Sequence, residues 1–314
     1  MGSCARPGPQ TGRVRRLSVP PSGSGGAGEH RWGVEVQDAL TPSVVAPPVR
    51  VGTATHRGLH RRVNEDSVLA RCGVYAVADG MGGHAAGDVA SAITVEELAA
   101  LDASGLDVDA VTAALDRAHA RVLGLASDGR PGAGTTVTAL VGVEQAGVPY
   151  WLVAHLGDSR AYLLSDGVLR QVSVDHSVVQ ELVDAGRLSP DETRSHPQRH
   201  VVTRAVGGPE GLEPDFWLLP SVEGDRLVLC SDGLTAEVPD ARITEVLLAH
   251  PDPQAAADAL VQAALDAGGH DNVSVVVVDV HGPATAAGTR PRATAEDLPA
   301  GVEDTVPRPA EDAR

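Results

Sequence analysis

The stretch VYAVADGMGGHAAGDVASAITVEEL, residues 74–98, joins a strand pattern to a helix pattern through an Asp-Gly pair. It opens as an apolar, strand-like run ending at Asp79. Beyond Asp79-Gly80 it passes into a segment in which Ala85, Val89, Ala92 and Ile93 recur at helical spacing. An Asp-Gly pair between two strand-like runs is the strongest short hairpin signal. Here a helix pattern follows instead, so the strand leaves a carboxylate at its tip. The arrangement recurs along the chain. Asp158 closes WLVAHLGD (151–158), and Asp232 closes RLVLCSD (226–232) ahead of the helix-like LTAEVPDARITEVLLAH (234–250). Asp271 opens DNVSVVVVDV (271–280). Asp166-Gly167, between AYLL and VLRQV, reads by contrast as an ordinary hairpin turn.

Four strand tips would bring four carboxylates to one rim. Carboxylates gathered within a few ångströms cannot all stay ionised unless a cation lies between them. Oxygen ligands of this hardness select Mg2+ or Mn2+. The pattern predicts a metal centre.

The rest of the chain bounds the reading. Of 314 residues, 1–48 are rich in Pro and Gly and lack a sustained apolar period, as in a disordered arm. Residues 282–314 read as a disordered acidic tail, which leaves 49–281 as one large domain. Within it the order is strands, two helices, strands, a helical insertion, strands, one or two helices and a last strand, the mark of antiparallel sheets with helices packed outside. The second helix shows a face of Val111, Leu115, Ala118, Val122 and Leu125. The last one starts at Asp252-Pro253 and stops at Gly268. The insertion, about 175–207, carries two capping-box signatures, Ser177 to Gln180 and Ser189 to Glu192.

Net charge is −17 and every basic side chain other than histidine is arginine, so nucleic acid is excluded as a partner. Aromatic residues, at 2%, are too few for a base-stacking platform. No run approaches roughly 18 consecutive apolar residues, and no apolar signal core follows Arg13, Arg15 and Arg16. Cys4, Cys72 and Cys230 have no metal-ligand spacing and form no even disulfide framework. A cytoplasmic, monomeric protein that does not enter membranes is expected.

Two further groups join the aspartates: RRVNEDS (61–67) and Gly82-Gly83-His84. With VADGMGGHAAGDVAS (77–91), GAGTTVTAL (132–140), AHLGDSRAYLL (154–164), the 175–207 insertion, LVLCSDGL (227–234) and GGHDNVSVVVV (268–278), they stand in the order of a known family. The chain resembles the bacterial metal-dependent protein Ser/Thr phosphatases, the PPM or type 2C family. The resemblance implies an α+β, four-layer α-β-β-α sandwich, two central antiparallel sheets flanked by helices, with two Mn2+ or Mg2+ ions and a possible third at one edge.

Carried over by motif, Asp79 would bridge both metals, the Gly80 carbonyl would bind one, and Asp232 and Asp271 the other. Glu65 and Asp66 would hold metal-bound waters. Asp158 would join Asp232 at a third metal, its plainer reading being a strand-end turn residue. The R-x-x-N-E-D spacing selects Arg61 over Arg62 for the phosphate, a task suited to a planar, bidentate guanidinium. The implied reaction is direct attack by an activated water on phosphoserine or phosphothreonine in proteins, opposing a Ser/Thr kinase. Animal members carry a histidine directly after the Asp-Gly, where this chain has Met81. His84 is therefore the candidate general acid or water-orienting group, with a capping or core histidine as the alternative. The insertion matches the family's flap. His196 and His200 within it are separated by Pro197 and read as flap packing or surface.

Rival chemistries lack support. Without lysine there is no P-loop and no kinase strand lysine. GDSRA (157–161) lacks the second glycine of a hydrolase elbow. None of the cysteines has an arginine six residues on, as a cysteine phosphatase loop requires. An inactive scaffold with the same fold would tolerate amides or alanine at Asp66, Asp79, Asp232 and Asp271. A dedicated phosphatase of anti-sigma antagonists would usually carry a sensor domain.

Overall fold

The computed structural model describes residues 48–71, 73–82, 86–102, 105–125, 132–145, 147–209 and 211–281, with the backbone of 14–16. The acidic tail, most of the N-terminal arm, Ala85 and His84 lie outside the described residues.

Two sheets form the centre. The first comprises β1 (Val14–Arg16), β3 (Asp66–Arg71), β4 (Val74–Met81), β6 (Val137–Gln145), β7 (Val148–Leu156) and β10 (Asp215–Pro220), in the order β1-β10-β7-β6-β4-β3, with β5 (Gly134–Thr135) pairing β4. The second runs β2-β12-β11-β8-β9, made of β2 (Val49–His56), β8 (Arg160–Ser165), β9 (Val168–Gln171), β11 (Arg226–Cys230) and β12 (Val273–Val280). Every named pairing is antiparallel except β1 with β10. Thus three residues within the stretch read as a flexible arm take up the open edge of β10.

Helices α1 (Gly87–Ala99) and α2 (Val108–Leu125) pack on the first sheet. Helices α5 (Asp240–Ala249) and α6 (Pro253–Ala267), after the short α4 (Asp232–Thr235), cover the second. This is the four-layer α-β-β-α sandwich, and the alternation of strand side chains explains it. In β12 all eight residues are buried. Val273, Val275 and Val277 face the helices, while Val276, Val278 and Val280 face the opposite sheet. In β4, Val74 and Ala76 meet helices and Tyr75 and Val77 meet the other sheet. Such strands read as continuous apolar runs because both faces are covered.

Asp166 (φ 52°) and Gly167 (φ 78°) make the tight turn between β8 and β9, since both central residues of this turn type need positive φ. Asp252 caps α6 by accepting from the Ala255 N–H at 3.0 Å, with Pro253 at the first helical position. The α2 face is as expected, except that Leu125 is only partly buried. In α1 the stripe differs. Its buried side is Ala90, Ser91, Ile93, Thr94 and Leu98, and Ala92 is exposed. The hydroxyls account for the difference: Ser91 donates to the Glu65 carbonyl at 2.6 Å and Thr94 to the Ala90 carbonyl at 3.0 Å, so polar residues occupy positions that an apolar count passes over.

One buried ion pair ties the second sheet to its helices. Arg226 forks onto Asp279 at 2.6 and 2.8 Å and donates to the carbonyls of Leu247, His250 and Pro251. Between β9 and β10 the insertion forms α3 (Val178–Asp184) and a 3-10 segment, Pro190–Ser195. Ser177 caps α3, and the Glu192 carboxylate accepts from the Ser189 N–H at 2.9 Å. Bridges Ser177–Val202 and Thr135–Val206 stitch the insertion to its own base and to the first sheet.

Candidate metal centre

Topology brings the carboxylates to one edge. β3 begins with Asp66 and β4 ends near Asp79, and the two residues are directly opposite in the antiparallel register. β6 lies antiparallel between β4 and β7, so those two strands run the same way and Asp158, just past β7, emerges beside Asp79. In the second sheet β11 leaves at Asp232 and its antiparallel neighbour β12 enters after Asp271. All of these ends lie on one side of the sandwich, where Asp79, Asp158, Asp232, Asp271, Glu65 and Arg61 line a cleft of about 720 Å3.

Close backbone approach builds the floor. A Cβ on Gly80 would lie 2.1 Å from the Gly87 carbonyl oxygen and 2.5 Å from that of Glu65, so only glycine lets β4 pass between α1 and the β3 entry. A Cβ on Gly233 would meet the Asn272 carbonyl oxygen at 1.9 Å, which presses the β11 exit against the residue after Asp271. Asn272 then ties the RRVNED loop in place. Its Oδ1 accepts from the Glu65 N–H at 2.8 Å and its Nδ2 donates to the carbonyls of Arg57 and Val63, each at 2.9 Å. On the first sheet the Asp79 N–H donates to Thr136 Oγ1 at 3.0 Å, and Thr136 Oγ1 pairs with Ser159 Oγ at 2.7 Å. This buried hydroxyl pair fastens the tip carrying Asp79 to the tip carrying Asp158.

The electrostatics are unfavourable without a cation. Burial, with the charges of Asp232 and Asp271, lifts Asp66 to about 7 despite hydrogen bonds from Ser274 and Ser231. Burial and the neighbouring Asp66 push Asp79 well above the usual carboxylate range. Burial and Asp232 lift Asp158 to about 8. Burial also raises Glu65. Asp66 Oδ2 accepts from Ser231 Oγ at 2.9 Å, while its buried Oδ1 has no hydrogen-bond partner. An acceptor of this kind among like charges fits a cation or a cation-bound water.

Among the described residues no three His, Cys, Asp or Glu side chains are gathered tightly enough to hold a metal by themselves. The donor set, all oxygen with no thiolate, fits Mg2+ or Mn2+.

Arg61 lines the cleft and donates to Asp271 at 2.7 Å; burial disfavours its charge, but that bond and the Asp271 charge outweigh it and hold the guanidinium protonated. Arg62 is exposed and not part of the wall. Met81 is part of it. His200, read from the sequence as flap packing or surface, is exposed on the flap and also lines the cleft, with Nδ1 at 3.8 Å from Asp232 Oδ2, a partner that raises its pKa. Sequence reasoning also passed over Asn272, Thr136 and Ser159. Asn272 sits beside Asp271 and could have been noticed, whereas the two hydroxyls carry no signal outside the fold.

An α-β-β-α sandwich with an all-oxygen acidic centre at one edge defines a class of metal-dependent phosphoesterases. The family model of protein phosphatase 2C matches residues 60–265, and the chain belongs to that family. It is 46% identical over 237 residues to the serine/threonine protein phosphatase PstP of Mycobacterium tuberculosis, covering 74% of this chain. The chain spans only 45% of that relative's length. Against the serine/threonine phosphatase stp of Listeria innocua it is 36% identical, covering 72% of this chain and 93% of the relative. The solved catalytic domain of PstP in complex with two manganese ions superposes with a TM-score of 0.65 at 41% identity, covering 74% of this chain and 99% of that one.

Proposed function

We propose that the chain is a protein serine/threonine phosphatase that hydrolyses phosphoserine and phosphothreonine in proteins, opposing a Ser/Thr kinase, as a monomer in the cytoplasm. The observation that carries this reading is the convergence of Asp79, Asp158, Asp232 and Asp271 on one cleft that also holds Arg61, with Asp66 buried directly opposite Asp79. The names of the relatives point the same way. No helix among the described residues is long and apolar enough to cross a membrane.

Asp79, the Gly80 carbonyl, Asp232 and Asp271 would hold two Mn2+ or Mg2+ ions, with Glu65 and Asp66 acting through waters and Asp158 with Asp232 offering a third position. When bound, the ions supply the Lewis acidity that makes water nucleophilic at neutral pH and offsets phosphoryl charge. Arg61 binds the phosphate through its planar fork and aligns it over the carboxylates. Asn272 holds the loop that presents Arg61 and Glu65. Thr136 and Ser159 keep Asp79 and Asp158 in register. His84 is the proposed proton donor to the leaving alkoxide.

Metal-stripped protein given back Mn2+ should hydrolyse p-nitrophenyl phosphate and a phosphothreonine peptide, and Asp232→Asn should abolish both activities. Metal binding without turnover would instead establish an inactive scaffold.

A further inference from the structure

The flap supplies two arginines to the cleft wall, Arg194 at the end of the 3-10 segment and Arg199 five residues later. Both are exposed, and neither has a carboxylate partner among the described residues. Nearby arginines are engaged. Arg61 pairs with Asp271 at 2.7 Å, Arg204 lies 3.6 Å from Asp215, and Arg160 forks onto Asp175. On another part of the wall, the Glu237 carboxylate is held by His270 at 2.6 Å. Arg194 and Arg199 are thus two exposed cations without a carboxylate partner among the described residues, on a wall that also carries Glu65 and Glu237, above a floor of aspartates. The chain as a whole carries −17, but at physiological salt charges more than about 8 Å away are largely screened. A peptide whose phosphate reaches the floor leaves its flanking residues at the mouth, within reach of the flap. There the rim, and not the net charge, sets the preference.

We propose that Arg194 and Arg199 form a docking site for carboxylate side chains flanking the phosphorylated residue, so that the substrate class is acid-flanked phosphopeptides. The proposal rests on the phosphatase reading above and narrows it. Two exposed guanidinium–carboxylate contacts are individually modest. Together they give an advantage of about fivefold to tenfold in kcat/KM, carried mainly by KM because the contacts lie away from the reacting atoms.

The test uses the full chain with Mn2+ at physiological salt and phosphothreonine peptides identical except for aspartate, alanine or arginine flanks. The wild type should favour the aspartate peptide over the alanine peptide by about fivefold or more. Arg194→Gln with Arg199→Gln should bring that ratio close to one. Arg194→Glu with Arg199→Glu should invert it, so that the arginine-flanked peptide becomes the best substrate. Equal turnover of all three peptides by the wild type, or a preference that survives in the glutamine variant, overturns the docking site and leaves the phosphatase reading intact. No turnover of any peptide refutes the phosphatase reading, and the docking site with it.

Discussion

Asp66→Asn should stabilise the metal-free protein while removing its response to metal. Asp66 is 9% exposed, lies opposite Asp79 in the β3–β4 register, and has one oxygen without a hydrogen-bond partner. Its carboxyl is lifted from 3.8 to about 7, chiefly by burial. A carboxyl that holds its proton more tightly folded than unfolded destabilises the fold once it must ionise. The stability is full below about pH 4 and is lost as pH rises through about 7. At about 1.4 kcal/mol per pKa unit, the loss approaches about 4 kcal/mol by pH 8, on the order of 10 °C in Tm for a domain of this size. Thermal unfolding in EDTA between pH 5 and pH 8.5 reads this directly. The wild type should lose Tm steadily across the range and regain it with Mn2+ at pH 8. The asparagine variant should lose less, exceed the metal-free wild type above pH 7, and gain little from Mn2+. A metal-free variant less stable than the wild type at pH 8 would contradict this, since Asp66 would then be stabilising the fold as a carboxylate without a cation.

Thr136→Val removes the hydroxyl that accepts from the Asp79 N–H and pairs with Ser159, so titration calorimetry should show Mn2+ affinity about tenfold weaker, from about 1–3 kcal/mol of lost hydrogen bonding. An unchanged affinity would mean that the strand tips hold their register without it. Arg226→Met leaves Asp279 buried and unpaired and should cost about 3–5 kcal/mol in urea unfolding, with KM of the folded fraction unchanged; a loss under about 1 kcal/mol would contradict the clamp. Gly233→Ala forces a Cβ to within 1.9 Å of the Asn272 carbonyl oxygen and should depress kcat at saturating Mn2+, because the Asp232 and Asp271 tips must move apart. Arg61→Ala should mainly raise KM for a phosphopeptide; a large fall in kcat at constant KM would assign it to the transition state instead.

The features legible in the chain follow from local rules. Strand tips ending in aspartate, the helix after Asp79-Gly80, the hairpin at Asp166-Gly167 and the Asp252–Gly268 limits of α6 depend on propensity, capping and period, and each is encoded within a few neighbouring residues. The two-faced burial of β12 is visible in VSVVVVDV because helices and sheet both cover it. Features that depend on distant partners arise only in the folded chain. Ser91 and Thr94 lie on the buried side of α1 because a carbonyl across the packing and one on the helix itself receive their hydroxyls. Thr136 and Ser159, 23 residues apart, meet only because β6 and β7 pair. His200 turns towards Asp232, and Arg194 and Arg199 stand on the cleft wall, because the flap folds back over the edge where the strands end. Local sequence fixes which elements form and where they stop, whereas the fields that raise Asp66, Asp79 and Asp158 exist only once separate strand ends share one buried space.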